Sequence, residues 1–218
     1  MKPFIAALCI VFGMPWILMA AGRHAGSSGW VNITPRESLQ EWTRVAIPPT
    51  RPLNPVSQWK VDARRHMIVC EGNGGHEWLR YDHEYKDFVF EVEWRLVKGP
   101  RGTKYNSGIF VRNNTDGSIW YQAQVGSASG GYFFGENPVH GTLARFNLYG
   151  AVAQNDVKPA GQWNEYQILC KGKDLTLWVN GDKQSQFTEC NNPAGYIGLE
   201  AEGSRIEFRD LKVKMIRQ

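Results

Sequence analysis

The chain has 218 residues, of which 42% are hydrophobic and 21% charged, with a formal net charge of +4. That length allows a full core, and the composition is ordinary for a soluble globular protein. Charges of both signs are interspersed with no basic run, which argues against a nucleic-acid partner. Nine Trp and 23 Gly point to an all-β protein with tight turns.

Residues 1–21 read as a secretory leader: Lys2, an apolar run from Phe4 to Met19, then small residues at Ala20 and Ala21. A membrane anchor is the competing reading, but Pro15 interrupts the run and the run is short for a spanning helix. The expectation is therefore an exported protein of the bacterial envelope, periplasmic or extracellular, with no membrane span once the leader is removed. Residues 22–29 read as a polar linker and residues 30–218 as one domain. Three cysteines remain, Cys70, Cys170 and Cys190. Cys170 ends one strand and Cys190 lies in the loop after the next, so Cys170–Cys190 is the expected disulfide. Cys70 reads as a buried small hydrophobe.

Trp30–Ile33 reads as a first strand, and Thr34, Pro35 and Glu37 as the start of a short turn. The proline-rich run from Ile47 to Pro55 is surface loop. Trp59–Asp62, His66–Cys70 and Trp78–Tyr81 read as strands. The stretch Asp87 to Arg112 reads as two strands joined by a basic, glycine-containing loop. In the first, Phe88, Phe90, Val92 and Trp94 share one face, and Glu91, Glu93 and Arg95 share the other. In the second, Ile109 and Val111 fall opposite Phe110 and Arg112.

A further strand, Ile119–Val125, puts Trp120, Gln122 and Gln124 on one face. Glu93, Arg95, Arg112, Gln122 and Gln124 are thus expected to converge on one hollow polar side suited to a sugar, whose C–H faces stack on aromatic rings such as Trp120. The alternative for Glu93, Arg95 and Arg112 is ordinary cross-strand ion pairing.

The glycine-rich, aromatic stretch from Gly126 to Gly141 is either a wall over a cleft or a long hairpin connection. It lacks a phosphate-binding pattern. In the last third an antiparallel meander includes Asn180-Gly181, which supplies the positive φ of a two-residue hairpin turn. Nothing predicts a long helix, so the fold class is an all-β, two-sheet antiparallel sandwich. His76, Asp82 and His83 are close in sequence, but adjacent Asp82 and His83 point to opposite faces of a strand. No metal site and no cofactor motif is read.

The blocks Trp59-Lys60-Val61, Tyr85 to Arg95, Asn106 to Arg112, Lys158 to Tyr166, Trp178-Val179-Asn180-Gly181, and Gly195 to Gly203 through Ile206 to Leu211, in this order, resemble the 3-keto-disaccharide hydrolase family. The resemblance implies a concanavalin-like jelly roll, exported by bacteria, acting on glycosides oxidised at C3. It also implies a Glu-x-Gln pattern where this chain has Gln122-Ala123-Gln124, and a Gln and a His where it has Glu200 and Glu202. Such chemistry needs a base for the acidified C2 hydrogen, a cation or donor at the ketone oxygen and an acid for the leaving oxygen. Glu93, His140 and Glu202 are the candidates for proton transfer. Arg95 and Arg112 are the candidates for the enolate oxygen, with Gln122, Gln124 and Trp120 as further sugar contacts. A non-catalytic carbohydrate-binding module is the alternative function, and a cell-envelope domain that binds protein through a sheet edge is a third.

Overall fold

The computed structural model describes residues 29–152 and 154–216, so the leader and nearly all of the linker lie outside the described residues. The chain forms β1 (Trp30–Asn32), β2 (Trp42–Ala46), β3 (Trp59–Asp62), β4 (Met67–Cys70) and β5 (Glu77–Tyr85). It continues through β6 (Phe88–Leu96), β7 (Ser107–Asn113), β8 (Trp120–Val125), β9 (Gly130–Val139) and β10 (Thr142–Asn147). The remainder is β11 (Asn164–Lys171), β12 (Asp174–Val179), β13 (Asp182–Phe187), β14 (Gly195–Ala201) and β15 (Ile206–Met215). No helix among the described residues is long and apolar enough to cross a membrane.

Two antiparallel sheets result. One runs β13-β12-β11-β6-β15-β4-β3 with β1 beside β15, and the other runs β10-β9-β8-β7-β14-β5-β2. This is the all-β sandwich expected from the short strands and glycine turns. The period-two pattern drives it: Phe88, Phe90, Val92, Trp94 and Leu96 of β6 are buried, as are Tyr121, Ala123 and Val125 of β8. Each buried Val, Leu or Phe among them contributes roughly 1.5–3 kcal/mol on burial. The core they build is rich in edge-to-face rings, such as Trp94 on Tyr166 with centroids 5.2 Å apart. The Asn180-Gly181 turn joins β12 to β13 as expected, with φ of 52° and 98°.

Three expectations are corrected. First, β6 and β7 are not neighbours: the loop between them carries the chain from one sheet to the other. Second, a register shift in the pairing of β7 with β14 and a φ of 53° at Arg112 form a bulge that turns this residue out of the alternation. Its guanidinium is fully buried against Asp87 at 2.9 Å and donates to the Gly172 carbonyl at 2.7 Å. Third, no Cys170–Cys190 bridge forms; Cys70, Cys170 and Cys190 are buried free thiols. The Cys190 thiol donates instead to the Asn192 carbonyl at 3.3 Å, with Arg112 Nη1 at 3.8 Å. Burial pushes the Cys70 thiol up to about 12, which removes it as a nucleophile.

Candidate active site

The site lies on the outer face of the seven-stranded sheet, where β8, β7, β14 and β5 run side by side. Gly108, the second residue of β7, makes it possible. A side chain there would put its Cβ 2.2 Å from Gln122 Nε2, so the glycine leaves a gap across which Gln122 of β8 reaches β14. Gln122 Nε2 donates to Glu200 Oε2 at 2.9 Å and to Gln124 Oε1 at 3.2 Å. Gln124 Nε2 donates to Asn106 Oδ1 at 2.7 Å, and Asn106 Nδ2 donates to Glu202 Oε2 at 2.6 Å. His76, just before β5, bonds Glu200 Oε1 through Nε2 at 2.9 Å and stands 4.0 Å from Glu202 Oε2.

His76, Gln122, Glu200 and Glu202 floor a cavity of about 280 Å³, with Gln124 and Asn106 bonded behind them. Trp78, Phe110, Trp120 and Phe134 line its walls, and Ile47 and Arg145 also border it. Successive rings meet edge to face, Trp78 on Phe110 at 5.7 Å, Phe110 on Trp120 at 6.3 Å and Trp120 on Phe134 at 5.0 Å. Arg145 stands 5.5 Å over the Trp120 ring while pairing with Glu136. A broader hollow of about 540 Å³ by Trp30 and Met215 is open and holds no cluster of titratable groups.

The electrostatics of the cluster are unusual for this molecule. Among the described residues three glutamates are buried: Glu77, Glu200 and Glu207. Glu77 is paired with Arg44 at 2.8 Å, and Glu207 with Arg95. Glu200 has only an imidazole and an amide. Burial raises its carboxyl above the ordinary range and the charge of Glu202 adds to this, against the opposing bonds from His76 and Gln122. Burial works against the charged form of His76, but the Glu200 bond and the two carboxylate charges outweigh it and raise this group as well. Glu202 is 39% exposed against 4% for Glu200, so Glu202 is the carboxylate open to an incoming molecule.

Of the residues expected at a sugar site, Trp120, Gln122, Gln124 and Glu202 stand together here. The other four do not. Glu93 and Arg95 face away from the core on the opposite sheet, where Glu93 accepts from Arg209 Nε at 2.6 Å and Arg95 binds Glu207. Both arginines also lie over the Trp163 ring, at 4.6 and 4.0 Å. Arg112 is in the interior. His140 is exposed at the turn between β9 and β10, so Gly130 to Val139, expected as a wall or a connection, is a strand whose Phe134 does line the cavity.

His76, Asn106 and Glu200 were not expected at the site. Glu200 and Glu202 do carry a signal, since their spacing of two points both to the same side where β14 ends. His76 and Asn106 carry none, because their place depends on which strands are neighbours. Gln122 stands where the family resemblance puts a glutamate, and Glu200 where it puts a glutamine. The two touch, so the carboxylate is present on β14 rather than on β8.

Two antiparallel sheets packed face to face in this strand order define an all-β jelly-roll sandwich. Solved structures of this fold include a Parabacteroides distasonis protein of proposed glycosyl hydrolase function (TM-score 0.61, 16% identity, 87% of this chain and 95% of that one). Another is the carbohydrate binding module CBM66 of Bacillus subtilis (TM-score 0.57, 13% identity, 79% and 94%). The chain belongs to the 3-keto-alpha-glucoside-1,2-lyase-like domain family, whose model matches residues 17–214. A relative from Bacteroides thetaiotaomicron named 3-keto-disaccharide hydrolase is 26% identical over 192 residues, covering 67% of this chain. The chain spans 63% of that protein's length.

Proposed function

We propose that this protein is an exported enzyme that cleaves 3-keto-glycosides in the pocket over Glu200 and Glu202. The observation that carries the reading is the pair of carboxylates at the floor of an aromatic-walled cavity large enough for a pyranose. The ketone at C3 acidifies the hydrogen at C2. Glu202, open to the cavity, takes that proton, and the C2–H electron pair moves into a C2–C3 enolate. When the enolate collapses, the ketone re-forms, a C1–C2 double bond forms and the C1–O bond breaks. The departing oxygen keeps the bond pair and takes a proton from water at the open rim. Addition of water across the double bond completes hydrolysis; release of the unsaturated sugar is elimination.

Export rests on the leader-like residues 1–21, and the mature chain is expected to start after them. The test of the chemistry is incubation of the mature protein with a 3-keto-disaccharide, following the freed sugar. Glu202→Gln is expected to slow release by about 10²–10⁴-fold, the usual contribution of a positioned base. A second reading, a carbohydrate-binding module, is favoured by Gln122 at the position of the family's glutamate. Retained sugar binding with no release at any pH would establish it in place of the enzyme.

A further inference from the structure

The enolate oxygen of such a reaction needs a positive partner, and the guanidiniums expected to supply it lie elsewhere. Arg95 is on the opposite sheet, Arg112 is in the interior, and Arg145 across the pocket is paired with Glu136. Arg51 disfavours the charged form of His76. Among the described residues no lysine or arginine forms an ion pair with Glu200 or Glu202, whereas the other two buried glutamates each have one. A buried carboxylate beside a second carboxylate calls for a cation.

Resting on the glycoside reading, we propose that His76 Nε2, Glu200 and Glu202 are the seat of a first-row divalent cation, which takes the C3 oxygen and an adjacent hydroxyl of the keto sugar. One ligand atom from each of the three residues lies within 4.8 Å of the others. An ion at about 2.0–2.4 Å from each donor bridges that span. Each carboxylate is oriented by an amide from a neighbouring segment, Gln122 on Glu200 at 2.9 Å and Asn106 on Glu202 at 2.6 Å, as outer partners orient metal ligands. Three protein donors leave coordination positions free, and these face the cavity. The indole N–H of Trp78, buried without a partner on the same wall, is a donor awaiting a ligand oxygen.

An α-hydroxyketone is a bidentate oxygen ligand, so the ketone that acidifies C2 is also what such an ion would select. With one Glu202 oxygen on the ion, the other remains for the C2 proton. The imidazole in the set favours ions such as Mn²⁺ or Zn²⁺ over Mg²⁺ or Ca²⁺.

The test starts with chelator-stripped protein titrated with Mn²⁺ and Zn²⁺ in the absence of sugar, by calorimetry and thermal shift. One ion per chain is expected. Gln122→Ala should weaken uptake about ten- to hundredfold, as loss of an outer partner does. His76→Ala should abolish it, and Glu202→Gln, at a half-exposed position that folding tolerates, should weaken it strongly. No uptake by the wild type, or uptake untouched in both His76→Ala and Glu202→Gln, overturns the proposal. The sugar arm separates the two readings: cleavage undiminished by stripping overturns the ion and leaves the glycoside reading standing. Ion uptake with no cleavage of any 3-keto-glycoside does the reverse.

Discussion

Arg112 carries the clearest lesson at the scale of single residues. Read by alternation it belongs on the polar face, yet the bulge at its own φ of 53° folds it inward onto Asp87. Arg112→Met leaves the largely buried Asp87 carboxylate with the Gly172 N–H but no cation, and is expected to lower unfolding free energy by about 3 kcal/mol in urea titrations. Turnover per folded molecule should be unchanged, because the guanidinium is not in the pocket. Glu93 and Arg95 are the half-exposed ion pairs that the bland alternative described, bound to Arg209 and Glu207. Glu93→Gln and Arg95→Gln should leave cleavage of a 3-keto-disaccharide unaltered. Glu93→Gln should cost under about 1 kcal/mol, the range of exposed pairs.

At the scale of elements, Gly108 shows how one strand position sets the site. It sits between Gln122 and Glu200, and its missing side chain is the channel for their bond. Gly108→Ala puts a methyl group 2.2 Å from Gln122 Nε2. The amide must swing away from Glu200, so activity should fall by about ten- to hundredfold, the usual effect of losing an orienting partner, with circular dichroism unchanged.

Strand positions and faces were legible from local signals: the alternation of Phe88 to Arg95, the polar side of Trp120, Gln122 and Gln124, and the Asn180-Gly181 turn. Sheet membership was not. A loop rich in Gly, Pro and Lys between β6 and β7 suits a hairpin and a crossing between sheets equally well, since both need only an exposed flexible path. That ambiguity is what sent Glu93 and Arg95 to the wrong face of the molecule, and only pairing across the whole chain resolves it.

At the scale of the molecule, the neighbour order β8-β7-β14-β5 gathers residues 76, 106, 122, 124, 200 and 202 from distant parts of the chain into one chain of hydrogen bonds. The sandwich supplies two polar outer faces, and they differ in charge balance. The eight-stranded sheet matches Glu91, Glu93 and Glu207 with Lys212, Arg209 and Arg95. The seven-stranded sheet leaves Glu200 and Glu202 beside an aromatic cavity with a histidine alone. The uncompensated face is the one on which the proposed proton transfer rests.

Time-resolved NMR of a 3-keto-disaccharide with the wild type and Glu202→Gln tests this most directly. The account predicts loss of the C2 proton together with release of the second sugar by the wild type, both slowed at least about a hundredfold in the variant. Equal release by the two proteins, or cleavage that retains the C2 proton, would contradict it.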